Sequence, residues 1–350
     1  MQENGANLKV DRADGSRLTQ ASVGARLRAI PGRLGDYWIV GILALMIVFF
    51  SIVAPGFLTL RSWISTSLYA VQFILLAMGE TFVIITGGVD LSVGSTMGLS
   101  GMVSGYLMRQ LMLAGCSDAV TIAVGLVMAL TTGLLVGLAN GYTVAHLNIL
   151  PMIATLGTLS IGRGLAFIVS DVSIAKIPDA LGDFGNGILF GFMPVLVLVT
   201  IVITLVLYFI LHKTRFGRHV YALGSNREAA RRAGLSIEAY LIKVYMLSGL
   251  LAAIAGFFTL SRFTAASPLA GNQLELNAIA SAIIGGASLF GGRGTIVGSV
   301  AGALIVSILV TAFVLLNIEP YWQMVATGLV LVAAVYVDQQ RYRKVRLGDR

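Results

Sequence analysis

Long uncharged runs divide this chain, and their lengths decide its class. Residues 188–211 carry no charge and are rich in Val, Ile and Leu, and residues 120–148 and 295–318 are likewise uncharged. A helix needs roughly 20 apolar residues to cross a bilayer. Residues 244–261 and 320–337 are shorter but sufficient, 37–54 reads as the first span, and 91–108 is uncharged and rich in glycine. Two more runs each carry one charge, Glu80 in 63–86 and Arg163 in 149–170. The last, 277–292, is short and ends in glycines. The pattern predicts an all-α polytopic membrane protein of about ten transmembrane helices. Barrel strands would be about 10 residues long with alternating polarity, and residues 201–207 do not alternate.

Basic residues set the domain organisation. Of 24 Lys and Arg, 18 fall in three places: Lys9 to Arg33, Lys213 to Lys243, and Arg341 to Arg350. Cytoplasmic segments of membrane proteins collect such residues. The chain then divides into a cytoplasmic basic arm (1–36), a first transmembrane half of about six segments (37–211), a cytoplasmic loop (212–243), a second half of about four (244–337) and a basic tail (338–350). Segment 171–187 falls outside, with Asp171, Asp179 and Asp183 against Lys176. The arm is too long and too polar for a secretory signal, and no lipidation motif opens it.

Composition agrees with a lipid-facing exterior. The 350 residues are 57% hydrophobic and 11% charged, with mean hydropathy +0.89. Soluble domains carry about 25% charged residues. The net charge of +8 follows the loops, which argues against a nucleic-acid partner. Cys116 is the only cysteine, so no intrachain disulfide is expected.

Several constellations each admit two readings. Gly87-Gly88-Val89-Asp90-Leu91 and Gly285-Gly286-Ala287-Ser288-Leu289 share the pattern Gly-Gly-x-(Asp/Ser)-Leu. Paired glycine breaks in two halves point to a transporter's pathway; the alternative is two chance pairs among 41 glycines. In the loop, Gly224-Ser225-Asn226-Arg227-Glu228-Ala229-Ala230-Arg231-Arg232-Ala233-Gly234 offers a Ser225/Glu228 capping box, about eight helical residues and a terminal glycine. Its small residues and arginines suit docking on a partner; a solvated basic loop is the plain alternative. Asp90 either meets solute hydroxyls or caps the helix after it. Glu80 and Arg163 either pair within the bundle or each face water. Residues 272–277 either line a cavity or merely begin a helix.

The chemistry that is missing narrows the function. No phosphate-cradling Gly-x4-Gly-Lys-(Ser/Thr) motif occurs, so ATP hydrolysis is expected on another polypeptide and the chain itself is no enzyme. His146, His212 and His219 lack metal-ligand spacing, and no cofactor or metal is expected. Asp90 has no partner motif for an intramembrane protease dyad. An ion-coupled secondary transporter and a non-transporting scaffold or receptor remain as alternatives.

Four long motifs, in order across roughly residues 37–338, resemble the permease subunits of bacterial ribose-, xylose- and galactoside-type ATP-binding-cassette sugar importers. They are residues 82–95 (FVIITGGVDLSVGS), 151–165 (PMIATLGTLSIGRGL), 217–234 (GRHVYALGSNREAARRAG) and 275–302 (ELNAIASAIIGGASLFGGRGTIVGSVAG). Val89 stands where that family usually has Ile. The resemblance implies a homo- or heterodimer of permeases, two ATPase subunits, a periplasmic or lipid-anchored sugar-binding protein, and a place among the lipids of the bacterial inner membrane with both termini cytoplasmic. It makes the loop helix a coupling helix, with Gly224, Asn226, Glu228, Ala229, Ala230 and Gly234 as contacts. The translocation pathway is expected at Gly87, Gly88, Asp90, Asn140, Thr155, Asn272, Glu275, Gly285 and Gly286.

Overall fold

The computed structural model describes residues 31–348. The basic arm before residue 31, and the side chains of residues 31–38, 334, 337 and of the tail from 341 onward, lie outside the described residues. Nearly every element is helical: α1 (Pro31–Val53), α2 (Leu60–Ile85), α3 (Val93–Leu113), α4 (Asp118–Ala145), α5 (Pro151–Val169), α6 (Asp179–Asn186), α7 (Val195–Lys213), α8 (Arg215–Ser225), α9 (Arg227–Arg232), α10 (Ile237–Phe263), α11 (Leu274–Ile284), α12 (Ile296–Leu315) and α13 (Pro320–Gly348). Four two-residue strands, β1 (Ile174–Ala175), β2 (Ile188–Leu189), β3 (Met193–Pro194) and β4 (Ala265–Ala266), form two antiparallel pairs, β1 with β4 and β2 with β3.

Local chemistry fixes the helix starts. Thr59 and Thr295 accept from the N–H groups of Ser62 and Gly298 at the heads of α2 and α12. Proline opens α5 and α13, where its missing N–H costs nothing.

Among the described residues, seven helices are long and apolar enough to cross a membrane, fewer than the ten segments expected. The shortfall has physical causes. The α3 helix is long, but serines and glycines dilute its apolar character. The α11 helix has 11 residues, about 16 Å at the helical rise of 1.5 Å per residue, too short for a hydrocarbon core of about 30 Å. It also starts at Leu274, earlier than the run at 277–292 suggested, and includes Glu275. Similarly α10 begins at Ile237, inside the segment read as a loop, because its first turns carry Glu238 and Lys243 and escape an apolar window.

The α2, α10 and α12 helices are mostly buried, whereas α4, α5 and α7 are mostly exposed. Exposed Ile52, Leu205 and Phe209 form an apolar exterior that only lipid tolerates. Helices α4 and α10 approach closely: a methyl added at Gly133, Gly137 or Gly141 would strike the backbone of Gly249, Tyr245 or Ile242. Small residues four apart allow such backbone contact in membranes.

Between α10 and α11 the chain is not helical. Thr264 and Gln273 bracket this stretch with φ of 51° and 64°, a left-handed conformation unusual for such residues. It runs along α3, where Gly105, Gly98 and Gly94 face Ala266, Ala270 and Gly271. Arg163 of α5 donates from Nη1 to the carbonyls of Pro268 (2.6 Å) and Ala270 (2.9 Å). Irregular backbone at membrane depth survives only when its polar groups are satisfied in this way. Arg163 is thus spent on carbonyls and does not pair with Glu80.

Candidate functional site

The first glycine break closes α2 and turns into α3. Gly87 takes φ +79°, and Asp90, 1% exposed, becomes the hub of a buried network. Its Oδ1 accepts from the Ser92 N–H (3.0 Å), the Ser92 hydroxyl (2.6 Å) and Asn140 Nδ2 (3.3 Å), and its Oδ2 from the Ser248 hydroxyl (3.0 Å). Thr155 donates to the Val89 carbonyl at 3.2 Å. Gly87, Gly88, Asp90, Asn140 and Thr155 therefore come together, drawn from α4, α5 and the turn itself. Asp90 faces protein donors here and binds the start of α3 through Ser92.

The second break ends α11. Gly286 takes φ +93°, and here the carboxylate comes from Asp338 of α13. Its Oδ2 accepts from the Ser288 hydroxyl (3.2 Å) and the Leu289 N–H (3.1 Å). Gly285 lies against Gly298 of α12 with no room for a side chain between them. The two breaks touch, since the Gly292 N–H donates to the carbonyl of Ile85 at 2.8 Å.

The predicted coupling segment rests on this junction. A methyl at Gly224 would overlap the Ile85 carbonyl oxygen and crowd Gly292. The Tyr221 hydroxyl donates to the Gly294 carbonyl (2.6 Å), and Arg227 Nη2 donates to the Thr86 carbonyl (3.1 Å). Burial pushes the Tyr221 phenol up from its ordinary value. One segment thus holds both breaks by hydrogen bonds.

Details of this segment differ from the capping-box expectation. The cap of α9 is Asn226, whose side chain accepts from the Ala229 N–H at 3.0 Å. Ser225 turns back to the Tyr221 carbonyl (2.8 Å), and Glu228 pairs with Arg232 (3.2 Å). The helix is six residues long, not eight, because capping by Asn226 starts it one position later and it ends at Arg232, with Ala233 as its C-cap. Gly234 takes φ +81°, as a helix-terminating glycine does. Ala230 is 4% exposed and faces its own chain, whereas Asn226, Glu228, Ala229 and Gly234 are exposed.

A cavity of about 410 Å³ opens beside the start of α11, among α11, α12 and α13. Its polar lining is Asn272, Gln273, Asn277, Gln323 and Thr327. Glu275 lies outside it, with Oε2 against Gly94. The structure therefore separates Asn272, on the cavity, from Asp90, Asn140 and Thr155, in a closed core. Sequence reasoning passed over Gln323 and Thr327; their spacing of four on an apolar helix was the available signal. Among the described residues, no group of three or more His, Cys, Asp or Glu is placed to hold a metal.

Residues 62–335 match the family described as branched-chain amino acid transport system / permease component. The chain is 36% identical over 300 residues to the D-allose transport system permease protein AlsC of Escherichia coli (strain K12), covering 85% of this chain and 90% of that protein. It is 35% identical over 302 residues to the ribose import permease protein RbsC of Bacillus subtilis (strain 168), covering 85% and 91%. With the autoinducer 2 import system permease protein LsrC of Escherichia coli O9:H4 (strain HS) it shares 37% over 304 residues, covering 85% and 86%. No solved structure matches the chain.

Proposed function

The chain belongs to the family of branched-chain amino acid transport system permease components, and on that premise we propose that it carries a monosaccharide or a related polyol-like solute across the bacterial inner membrane. It acts as one of two permease subunits, homo- or heterodimeric, in an ATP-binding-cassette importer. Two separate ATPase subunits drive alternating access, and a periplasmic or lipid-anchored binding protein delivers the solute. The observation that carries this reading is the seating of the α8–α9 segment on both glycine breaks through Gly224, Tyr221 and Arg227. A partner that grips α9 pulls directly on the two places where helices are interrupted. Only a partner with different affinity for the two permease states can drive such a change.

Ten crossings fit this function. They are the seven long apolar helices together with α1, α3 and α11, the last completed by the irregular stretch at 264–273. The coupling segment, both breaks and Asp338 share one end of the bundle, which we assign to the cytoplasm with both termini. Gly224, Asn226, Glu228, Ala229, Ala230 and Gly234 form the coupling element, with Ala230 as its inward seat. Asn272 and the cavity amides line the route, since side-chain amides offer both donors and acceptors to solute hydroxyls. Relatives named for D-allose and ribose support a sugar. Gly87, Gly88, Asp90, Asn140, Thr155, Glu275, Gly285 and Gly286 shape that route from behind.

Reconstitution tests this. Proteoliposomes containing the permease, its ATPase subunits and the binding protein should accumulate labelled monosaccharide only with ATP. Uptake that persists without the ATPase subunits under a proton gradient would support an ion-coupled carrier instead.

A further inference from the structure

Glu80 plays no part in the mechanism above, yet it is 0% exposed within the buried half of α2. Its surroundings differ sharply from those of Asp90. Four donors converge on Asp90, which is the environment of an ionised carboxylate. Glu80 receives a single long hydrogen bond at Oε2, from the Asp90 N–H at 3.4 Å, and its Oε1 meets no donor.

No base neutralises the pair. Among the described residues the ion pairs are Arg231–Glu238 and Arg232–Glu228, both at the exposed turn between α9 and the start of α10. Arg227, the nearest cation from the coupling segment, spends its hydrogen bond on the Thr86 carbonyl. The other groups facing the site are Asn140 from α4 and Ser248 and Tyr245 from α10, all uncharged when Tyr245 keeps its proton. Two buried carboxylates side by side cannot both remain ionised.

The same core also holds polar atoms with nothing to bind. Asn140 Oδ1 is buried and unpartnered, on an amide whose nitrogen already grips Asp90 and Ser92. The hydroxyl of Tyr245 is buried and unpartnered beside Gly88, two residues from Asp90. Asn140 Oδ1 can only accept a hydrogen bond, and it finds no donor. A carboxylic acid supplies the donor that an ionised carboxylate lacks.

We infer that Glu80 and Asp90 form a buried proton-binding site, in which Glu80 holds the proton as a neutral acid and Asp90 stays ionised. The proton lets the first glycine break remain packed on the core. Its loss would set two like charges against each other near the end of α2, the helix whose Ile85 carbonyl accepts from Gly292 and lies against Gly224.

Infrared spectroscopy of the assembled importer at neutral pH tests this without reference to the solute. A carboxylic-acid carbonyl band should be present and should vanish in Glu80→Gln. Because glutamine copies the neutral acid in shape and in its ability to donate, that variant should keep ATP-driven uptake within about twofold of the parent. Glu80→Asp, which keeps the acid but moves it, should retain a band at a shifted frequency. An infrared spectrum unchanged by Glu80→Gln overturns the proposal. So does sodium-dependent stabilisation that Glu80→Gln removes, since the occupant would then be a metal cation on two ionised carboxylates.

Discussion

At the first glycine break the carboxylate belongs to the turn itself; at the second it is borrowed. Asp90 lies within Gly87–Leu91 and takes donors from α4 and α10. Ser288 holds the corresponding place in Gly285–Leu289 and leans on Asp338 from the last helix. Both turns use a left-handed glycine and both end a helix. The first is sealed in the core, whereas the second sits against α13, which is largely exposed. The shared sequence pattern therefore encodes a shape, a helix stopped by two glycines and satisfied by a carboxylate. It does not encode where the carboxylate comes from. One break is anchored by a carboxylate of its own turn within the core; the other is a joint whose carboxylate reaches it from an exposed helix.

Substitutions separate the two roles. The largest effect is expected where the breaks meet. Gly224→Ala forces a methyl into the Ile85 carbonyl and should cost about 3 kcal/mol, at the upper end for overpacking, with uptake abolished. Thermal unfolding of the purified complex checks this, and an unchanged midpoint would show that the junction is loose.

Asp90→Asn comes next. It weakens the hydrogen bonds of a buried carboxylate with four donors and should cost about 2 kcal/mol, while Asp338→Asn at the half-buried joint should cost about 1 kcal/mol. Denaturation of both variants side by side measures the difference. Equal costs would erase the distinction between anchor and joint.

Smaller still is the effect of Tyr221→Phe, which removes one hydrogen bond to the second break and should cost about 1 kcal/mol. Its clearer sign is functional: more ATP hydrolysed per solute moved, with hydrolysis itself preserved. A ratio equal to the parent's would mean that this contact carries no motion. Smallest is Glu228→Gln, which breaks an exposed pair with Arg232 worth about 0.3–0.5 kcal/mol. Stability should barely move, and a large loss of partner binding would place Glu228 in the docking surface.

The helical segments could be placed from hydropathy because burial in lipid leaves so plain a compositional mark. What the sequence concealed depends on groups brought from afar. Nothing in the run around Arg163 indicates that its guanidinium will hold the carbonyls of Pro268 and Ala270, about a hundred residues away. Asp338 reads as the edge of a basic tail, and only the fold brings it to Ser288. The capping box at Ser225 and Glu228 failed because Asn226 is the better-placed cap and Tyr221 captures the serine hydroxyl. Ala230 looked like docking surface from its small size, yet small size equally suits a close seat on its own chain. The glycine pairs were visible from the start, and their contact through Gly292 and Ile85 was not.

The proposed coupling depends on which side of the membrane α9 faces. In a Cys116→Ser background the chain has no other thiol, so Glu228→Cys gives a single reporter on α9. A membrane-impermeant maleimide should label it in inside-out vesicles and not in intact cells, and assembly with the ATPase subunits should protect it. Labelling from the outside of intact cells would contradict the assignment of this segment as the grip for an ATPase.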